Sequence, residues 1–303
     1  MPAFNAEPFL LEAARSVLSQ TVRELQLVIV DDGSTDATLA AARSIADPRV
    51  LVLTGPNRGR AHARNRGLAA AAPSETVAYL DADDAWDPDK LEVQLAYLAA
   101  HPDAVAVGSL MRYISSTGVV LGETGQRITS DDLRRIARGE LSPFPISSSV
   151  LVRRPVVDAI GGFDELLREA EDLEFLAQVA RRGAVGCVAR VLGSYRIHPM
   201  SAMARNRYQV NAYARFVRAR LAARDAGGDL DWDAFVAAYR LPWRERRRDF
   251  AEFSYRSAAL WHGERRPLRA LAYGLLAGLA APAYTLRRLY RQRLAAVLQR
   301  RGA

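Results

Sequence analysis

Tyr79-Leu80-Asp81-Ala82-Asp83-Asp84 decides how this chain is read. An apolar strand over 76–80 stops abruptly at a cluster of carboxylates, Asp81, Asp83 and Asp84. Buried strands of open α/β sheets end at the ligand crevice, where their carboxyl edges face the substrate. Carboxylates held there, at Asp81 and Asp83, suit a hard divalent cation that takes oxygen ligands and shares them with phosphates. The expectation is a metal–diphosphate site. The alternative is a solvated acidic turn between a strand and a helix.

The chain on either side favours the crevice. Residues 25–30 form a continuous apolar run, as in a strand buried on both faces. That run ends in Asp31-Asp32-Gly33-Ser34-Thr35-Asp36. Gly33 permits a tight turn, and Ser34 or Thr35 can cap a helix over 36–46. Phe9, Leu10, Ala13, Ala14, Val17 and Leu18 have helical spacing across 7–20. A strand over 49–53, a helix over 57–72 and a helix from Pro88 to residue 101 complete the alternation. Strands alternating with helices at short loops mean βαβ units and a parallel sheet. Two of those strands end in paired acids on one sheet edge, which makes a single acidic crevice.

Further strands are expected at 105–109, 119–121 and 185–192, and helices at 130–138 and 170–182. The last helix carries Glu171 and Asp172 in its first turn, where acids compensate the helix dipole. Ser147-Ser148-Ser149 precedes a short apolar run over 150–152. From about residue 203 the chain turns to helices rich in alanine and arginine, over 208–226, 232–240, 243–262 and 268–300. The expected division is a domain over 1–202 and a basic helical region over 203–303.

The net charge is +8, and every basic residue except Lys90 is an arginine. A basic surface can serve anionic lipid or nucleic acid, or be a solvated helix face. Cys187 stands alone, which excludes a disulfide framework and a cysteine metal site and fits a reducing compartment. Met1-Pro2-Ala3-Phe4-Asn5 shows no basic region followed by an apolar core, so no signal peptide is expected. Residues 270–286 are an uncharged run of 17 residues between arginines, diluted by Gly274, Gly278 and Pro282. A buried bundle helix is the first reading, an in-plane helix on an anionic bilayer the second, and a membrane span the third.

Taken together, several segments resemble the family-2 inverting nucleotide-sugar glycosyltransferases. They are Pro2-Ala3-Phe4-Asn5-Ala6-Glu7, Val30-Asp31-Asp32-Gly33-Ser34-Thr35-Asp36, Asn57-Arg58-Gly59 with Ala63-Arg64-Asn65, Asp81-Ala82-Asp83-Asp84, Gly161-Gly162-Phe163-Asp164, Glu171-Asp172 and Tyr195-Arg196-Ile197-His198. The resemblance spans about residues 2–202, and the order and spacing of the segments carry it. It implies an α/β fold of the GT-A type: a Rossmann-like, mostly parallel sheet flanked by helices, followed here by a C-terminal α-helical appendage.

The resemblance also implies roles. Asp32, with Asp31 behind it, contacts the nucleotide base and ribose, while Asp36 caps a helix. Asn57 and Arg64 belong to the donor pocket, with Arg64 touching the base or the diphosphate; Arg60 and Arg66 are read as surface charges. Asp81 holds the ribose or the metal, and Asp83 ligates Mg or Mn. His198 contacts the diphosphate or the metal. Asp172 is the catalytic base, and Glu171 binds an acceptor hydroxyl.

The implied partners are a nucleotide-sugar donor and a saccharide or lipid-linked acceptor. Peripheral membrane contact is expected through 265–300, and nucleic acid is not expected. The implied location is the cytoplasm, at the inner face of the plasma membrane. The product belongs to cell-surface or extracellular polysaccharide or glycolipid.

One departure stands out. The family has a β-strand just before its Pro-x-x-Asn segment, whereas this chain starts at Met1-Pro2. The first strand is therefore expected to be missing or truncated, with the native start upstream of Met1. Two other functions compete. A sugar nucleotidyltransferase would need a glycine-rich basic loop where Pro2-Ala3-Phe4-Asn5 stands. A non-enzymatic arginine-rich membrane or nucleic-acid binder would leave Asp31, Asp32, Asp81, Asp83 and Asp172 unexplained.

Overall fold

The computed structural model describes residues 1–123, 135, 147–201, 207–263 and 266–287. The helix expected over 130–138 falls outside them, apart from residue 135. The described residues form two compact units. The first holds Met1–Ile114, Val120–Arg196 and Tyr213–Leu230; the second holds Ser115–Val119, Ile197–Ala212 and Asp231–Ala303.

The first unit opens with the alternation that the apolar runs require: β1 (Pro2–Ala3), α1 (Glu7–Leu18), β2 (Leu27–Asp31), α2 (Thr38–Arg43), β3 (Val50–Thr54) and α3 (Arg60–Ala70). β1, β2 and β3 are parallel, with Pro2 opposite Val30 and Leu27 opposite Val50. Every residue of β2 is buried, which is why its sequence is a continuous apolar run rather than an alternation. Met1–Ala3 lies where the first strand was expected, as a short stub. The Met1 amine donates to the Val28 carbonyl at 2.8 Å, and Val30 N–H donates to the Met1 carbonyl at 2.9 Å. Burial, helped by the charge of Arg64, pushes this amine down to about 5, so it is neutral at pH 7.

A second sheet runs β4 (Thr76–Ala78), β8 (Leu151–Arg153), β6 (Ala104–Ile114), β9 (Ala184–Arg196) and β5 (Ala85–Trp86), with β7 (Val120–Glu123) paired to β6. Among the described residues, β6 and β9 pair in parallel here and the other pairings are antiparallel. The parallel order expected from the sequence thus holds through β1–β3, and the second sheet is mixed; β2 and β4 fall in different sheets, and β4 stops at Ala78, so the single shared sheet edge expected for their acids is not formed. Part of the reason for the mixed order is local. β6 returns directly into β7 through a turn at Gly118, whose φ is +82°, and a tight hairpin can join only antiparallel strands. Three helices pack in this half: α4 (Lys90–Ala100), α5 (Arg154–Ile160) and α6 (Glu171–Ala180).

The core beneath the site is aromatic. Phe163 stacks on Phe175 at 4.3 Å, and Tyr79 meets Phe163 edge-on at 4.9 Å. Phe163 is brought there by Gly161-Gly162, where α5 ends with φ of +84° and +85°. Asn65 of α3 then clamps the backbone. It accepts from Phe163 N–H at 2.7 Å and donates to the Phe163 carbonyl at 2.8 Å. A Cβ at position 162 would lie 2.4 Å from Asn65 Oδ1, so only glycine fits.

The second unit contains α8 (Trp232–Ala238), α9 (Trp243–Gly263) and α10 (Pro267–Ala280); α7 (Arg207–Asp225) begins in this unit and continues into the first. The single helix expected over 268–300 is interrupted at Ala281, whose φ of −148° and ψ of 82° are not helical. Pro282 causes this, because a residue before proline is pushed out of the α region. No helix among the described residues is long and apolar enough to cross a membrane.

Asn65→Ala should lower stability by about 1–3 kcal/mol in urea unfolding, since it orphans both backbone groups of Phe163. An unchanged midpoint would mean that the clamp does not hold this turn.

Candidate active site

Asp31 and Asp32 stand at the carboxyl end of β2, and both are buried. Asp31 accepts from Thr54 Oγ1 at 2.9 Å and from Ser34 N–H at 3.3 Å. Asp32 accepts from the backbone N–H groups of Arg58 at 2.9 Å and Gly59 at 2.8 Å. Its carboxylate therefore fixes the loop that starts α3 and leaves the Asn57 side chain exposed. A carboxylate has about four lone-pair sites, so Asp32 keeps capacity for a further donor. Gly33 makes this crossing passable: its φ is +74°, and a Cβ there would meet Asn57 N at 2.7 Å. Asn5 locks the next residues by accepting from Thr35 N–H at 2.8 Å. Asp36 accepts from Thr38 N–H at 2.9 Å just before α2, whose N-cap position is Ala37 rather than the expected Asp36.

Helix α3 carries Arg60 and Arg64 one turn apart, on the same face. Arg64 is 1% exposed and bridges two acids: Nη2 meets Asp81 Oδ1 at 2.6 Å, and Nη1 meets Glu171 Oε1 at 2.6 Å. Arg60 joins Glu169 Oε2 at 2.6 Å and Glu171 Oε1 at 3.3 Å. Three expectations change here. Arg64 is paired with the buried Glu171 and the partly buried Asp81, where contact with a base or diphosphate was expected. Arg60, expected as a surface charge, is partly exposed but paired with two acids of the cluster. Glu171, expected to face an acceptor hydroxyl, is 2% exposed and held by both arginines. The i, i+4 spacing of Arg60 and Arg64 was the available signal for this.

Ala170 explains how α6 reaches the arginines. It sits at φ +59°, a conformation that costs a residue with a Cβ about 1–2 kcal/mol. The turn it makes lets Glu169 and Glu171, on either side, both engage Arg60. Asp172 follows in the first turn of α6, half-buried. Burial and the neighbouring Glu171 push its carboxyl up to about 7, against the pull of Arg64 and Arg60. Asp81 behaves in the opposite way: burial would raise it, but the charges of Arg64 and Arg60 hold it below the usual carboxylate range.

The acidic turn after β4 is braced from behind. Asp81 N–H donates to Ser148 Oγ at 3.2 Å, and Trp86 Nε1 donates to the Ser148 carbonyl at 2.7 Å. Asp84 Oδ1 accepts from Arg196 N–H at 2.9 Å, which ties the turn to the end of β9. Its other oxygen is buried with no hydrogen-bond partner among the described residues. Burial, then the charges of Asp83 and Asp81, raise its carboxyl well above the ordinary range. Tyr195 is raised as well, first by burial and then by Asp84, Asp83, Asp81 and Asp172. These four carboxylates therefore act on one phenol and belong to one electronegative site. Ser148 and Tyr195 had no role in the sequence reading. His198 is buried in the second unit.

Asp83 is half-exposed on this turn. Among the described residues no group of three His, Cys, Asp or Glu side chains could hold a metal by itself. The carboxylate oxygens of the turn are hard donors of the kind such a cation takes. Mg²⁺ is usually held by one or two carboxylates with substrate phosphates completing its shell.

Residues 1–161 match the family model described as glycosyl transferase family 2. The chain belongs to that family. It is 30% identical over 203 residues to an uncharacterized glycosyltransferase of Nostoc sp., covering 64% of this chain and 62% of that protein. It is 32% identical over 211 residues to the succinoglycan biosynthesis protein ExoO of Rhizobium meliloti, covering 65% of this chain and 58% of ExoO. The chain thus spans under two thirds of the length of these two relatives.

Among solved structures, the fold is similar to S. aureus TarS 1–349 in complex with UDP. The TM-score is 0.54 at 20% identity, over 93% of this chain and 89% of that one. It is also similar to the mannosyltransferase PcManGT of Pyrobaculum calidifontis in complex with GDP-Man and Mn²⁺. There the TM-score is 0.53 at 20% identity, over 98% of this chain and 79% of that one. The fold of this family-2 chain is of the GT-A type, with additional C-terminal helices.

Two stability measurements follow. Arg64→Met leaves Asp81 and Glu171 short of a buried cation and should destabilise by about 3–5 kcal/mol in denaturant unfolding. Asp172 has a folded-state pKa of about 7 against an ordinary 3.8, so the fold disfavours its charge. That penalty is absent at low pH, grows as pH rises from the unfolded toward the folded value, and is complete above the folded value. Asp172→Asn should therefore raise Tm at alkaline pH, and the gain should vanish in acid. A Tm difference independent of pH would contradict the assignment.

Proposed function

We propose that this family-2 chain is an inverting glycosyltransferase. It moves a sugar from a nucleoside-diphosphate donor to a hydroxyl of a saccharide or lipid-linked acceptor in cell-surface or extracellular polysaccharide or glycolipid synthesis. The observation that carries this reading is Asp172. It is a half-buried carboxyl pushed up to about 7, in the same acidic site as the Asp81–Asp84 turn. A general base works best when its pKa lies near the operating pH. The succinoglycan biosynthesis role of ExoO supports a polysaccharide product, and the UDP and GDP-Man bound in the two solved structures support a nucleotide-sugar donor.

In this reading Asp172 takes the proton of the acceptor hydroxyl as its oxygen attacks the anomeric carbon. The new C–O bond forms on one face while the bond to the diphosphate breaks on the other, and the diphosphate leaves with the bonding pair. A single displacement inverts the anomeric centre. Arg64, through Glu171 and Asp81, sets the distance between base and donor side. Asp32 holds the 57–59 loop and, with Asp31 behind it, faces the nucleotide, and Asn57 is exposed on that loop. The donor is a UDP- or dTDP-sugar, with GDP-sugar as the other nucleotide class. Asp83, with Asp81 beside it, would hold Mg or Mn, which when bound neutralises charge on the leaving diphosphate.

The test is a panel of nucleotide-sugars with Mn or Mg, scored by released nucleoside diphosphate. Asp172→Asn should keep the donor-induced thermal shift and lose transfer by about 10²–10⁴-fold. Asp83→Ala should lose the metal-dependent part of that shift. Normal transfer by both variants would overturn the assignment.

A further inference from the structure

Among the described residues, helix α10 turns an apolar stripe with no partner to solvent. Leu268, Leu271, Leu275 and Leu279 are 82%, 62%, 60% and 76% exposed, and Leu276 beside them is 41% exposed. Their spacing of three and four residues puts the first four on one face. The opposite face is the packed one: Ala277 is buried there, and Tyr273 meets Phe253 of α9 edge-on at 6.1 Å. The exposed stripe is therefore not needed to hold α10 against α9.

Arginines frame both ends of the stripe. Arg266 and Arg269 are exposed at the start of α10, and Arg269 lies over the Trp261 ring at 4.6 Å. At the other end Arg247 of α9 donates through Nε to the Ala280 carbonyl at 2.9 Å. The same guanidinium lies 5.2 Å from the ring of Trp243, which is itself 61% exposed. From residue 265 to the last residue the sequence has nine arginines and no aspartate or glutamate.

We infer that α10 lies in the plane of an anionic lipid surface, with its leucine stripe among the acyl chains and its arginines on the headgroups. An apolar stripe alone would fit another protein equally well. The one-sided charge selects the lipid, because every ionised side chain of this segment is complementary to phosphate headgroups. Exposed tryptophan at the end of the stripe suits the same boundary, where one edge of the ring is apolar and the other wet. The helix lies flat rather than spanning. Its 14 residues reach about 21 Å at 1.5 Å each, short of the roughly 30 Å hydrocarbon core. This surface stands independently of the transferase reading, since none of its residues belongs to the site described above.

The test is co-sedimentation of the full chain with vesicles of phosphatidylcholine alone or mixed with phosphatidylglycerol, at low and high salt. The wild type should pellet with the mixed vesicles at low salt, and high salt should weaken it. Combining Leu271→Ser, Leu275→Ser and Leu279→Ser should weaken binding by about tenfold or more. Arg266→Gln with Arg269→Gln should weaken binding to the mixed vesicles at low salt and leave binding at high salt little changed. All these side chains are exposed, so an unchanged thermal melt keeps the comparison fair. Transfer to a soluble acceptor should be the same in every variant. The inference is overturned if the wild type stays in the supernatant at low salt. It is equally overturned if the leucine variant binds like wild type, or if single-stranded RNA is bound while mixed vesicles are not.

Discussion

Two arginines on one helix, Arg64 buried and Arg60 partly exposed, hold this site together. Arg60 and Arg64 bring two positive charges against four acids, Asp81, Glu169, Glu171 and Asp172. The balance is deliberately short of neutral. Asp81, which has a guanidinium within 2.6 Å, is held ionised. Asp172 interacts with the same cations but also feels Glu171, and it is left close to its proton at neutral pH. One cluster thus gives two carboxylates opposite character, as the proposed donor site and base require. The surplus charge costs stability, and it is what a cation and an incoming proton relieve.

The arginines can do this only because α3 is fixed at several points. Asp32 holds its first turn through the backbone of Arg58 and Gly59. Asn65, next to Arg64, clamps the turn that carries Phe163, whose ring lies 5.0 Å from the Arg64 guanidinium. On the facing side, α6 begins with Ala170 in a left-handed conformation. Strain of that kind persists where surrounding contacts over-determine it. Here those contacts are the paired carboxylates on Arg60. The segments Asp-Asp-Gly, Arg-Asn, Gly-Gly-Phe-Asp and Glu-Asp are parts of one mechanical unit.

Much of this was legible in the sequence. The apolar runs of β2 and β4 end in acids, and hydrophobic period and turn chemistry are local properties. The same local signals located α1, α3 and α6 to within a few residues. What was missed depends on partners far away in the chain. The i, i+4 spacing puts Arg60 on the face of Arg64, but nothing local names Glu169 as its partner. The mixed order of the second sheet arises from pairing between β6, β8 and β9, which no local period encodes. β5, with only two residues, is too short to have a period. Pro282, by contrast, was a local signal that could have divided the last long helix.

The most direct test of the charge balance is the pH dependence of kcat/KM for the wild type and for Arg60→Gln, measured from about pH 5 to pH 9. The wild type should gain activity as pH rises and level off above about 7, where Asp172 ionises. Removing the Arg60 charge removes one of the two cations that hold that carboxyl down, so the inflection should move to higher pH. A profile that is flat across the range, or an inflection that the Arg60 variant leaves in place, would contradict the account.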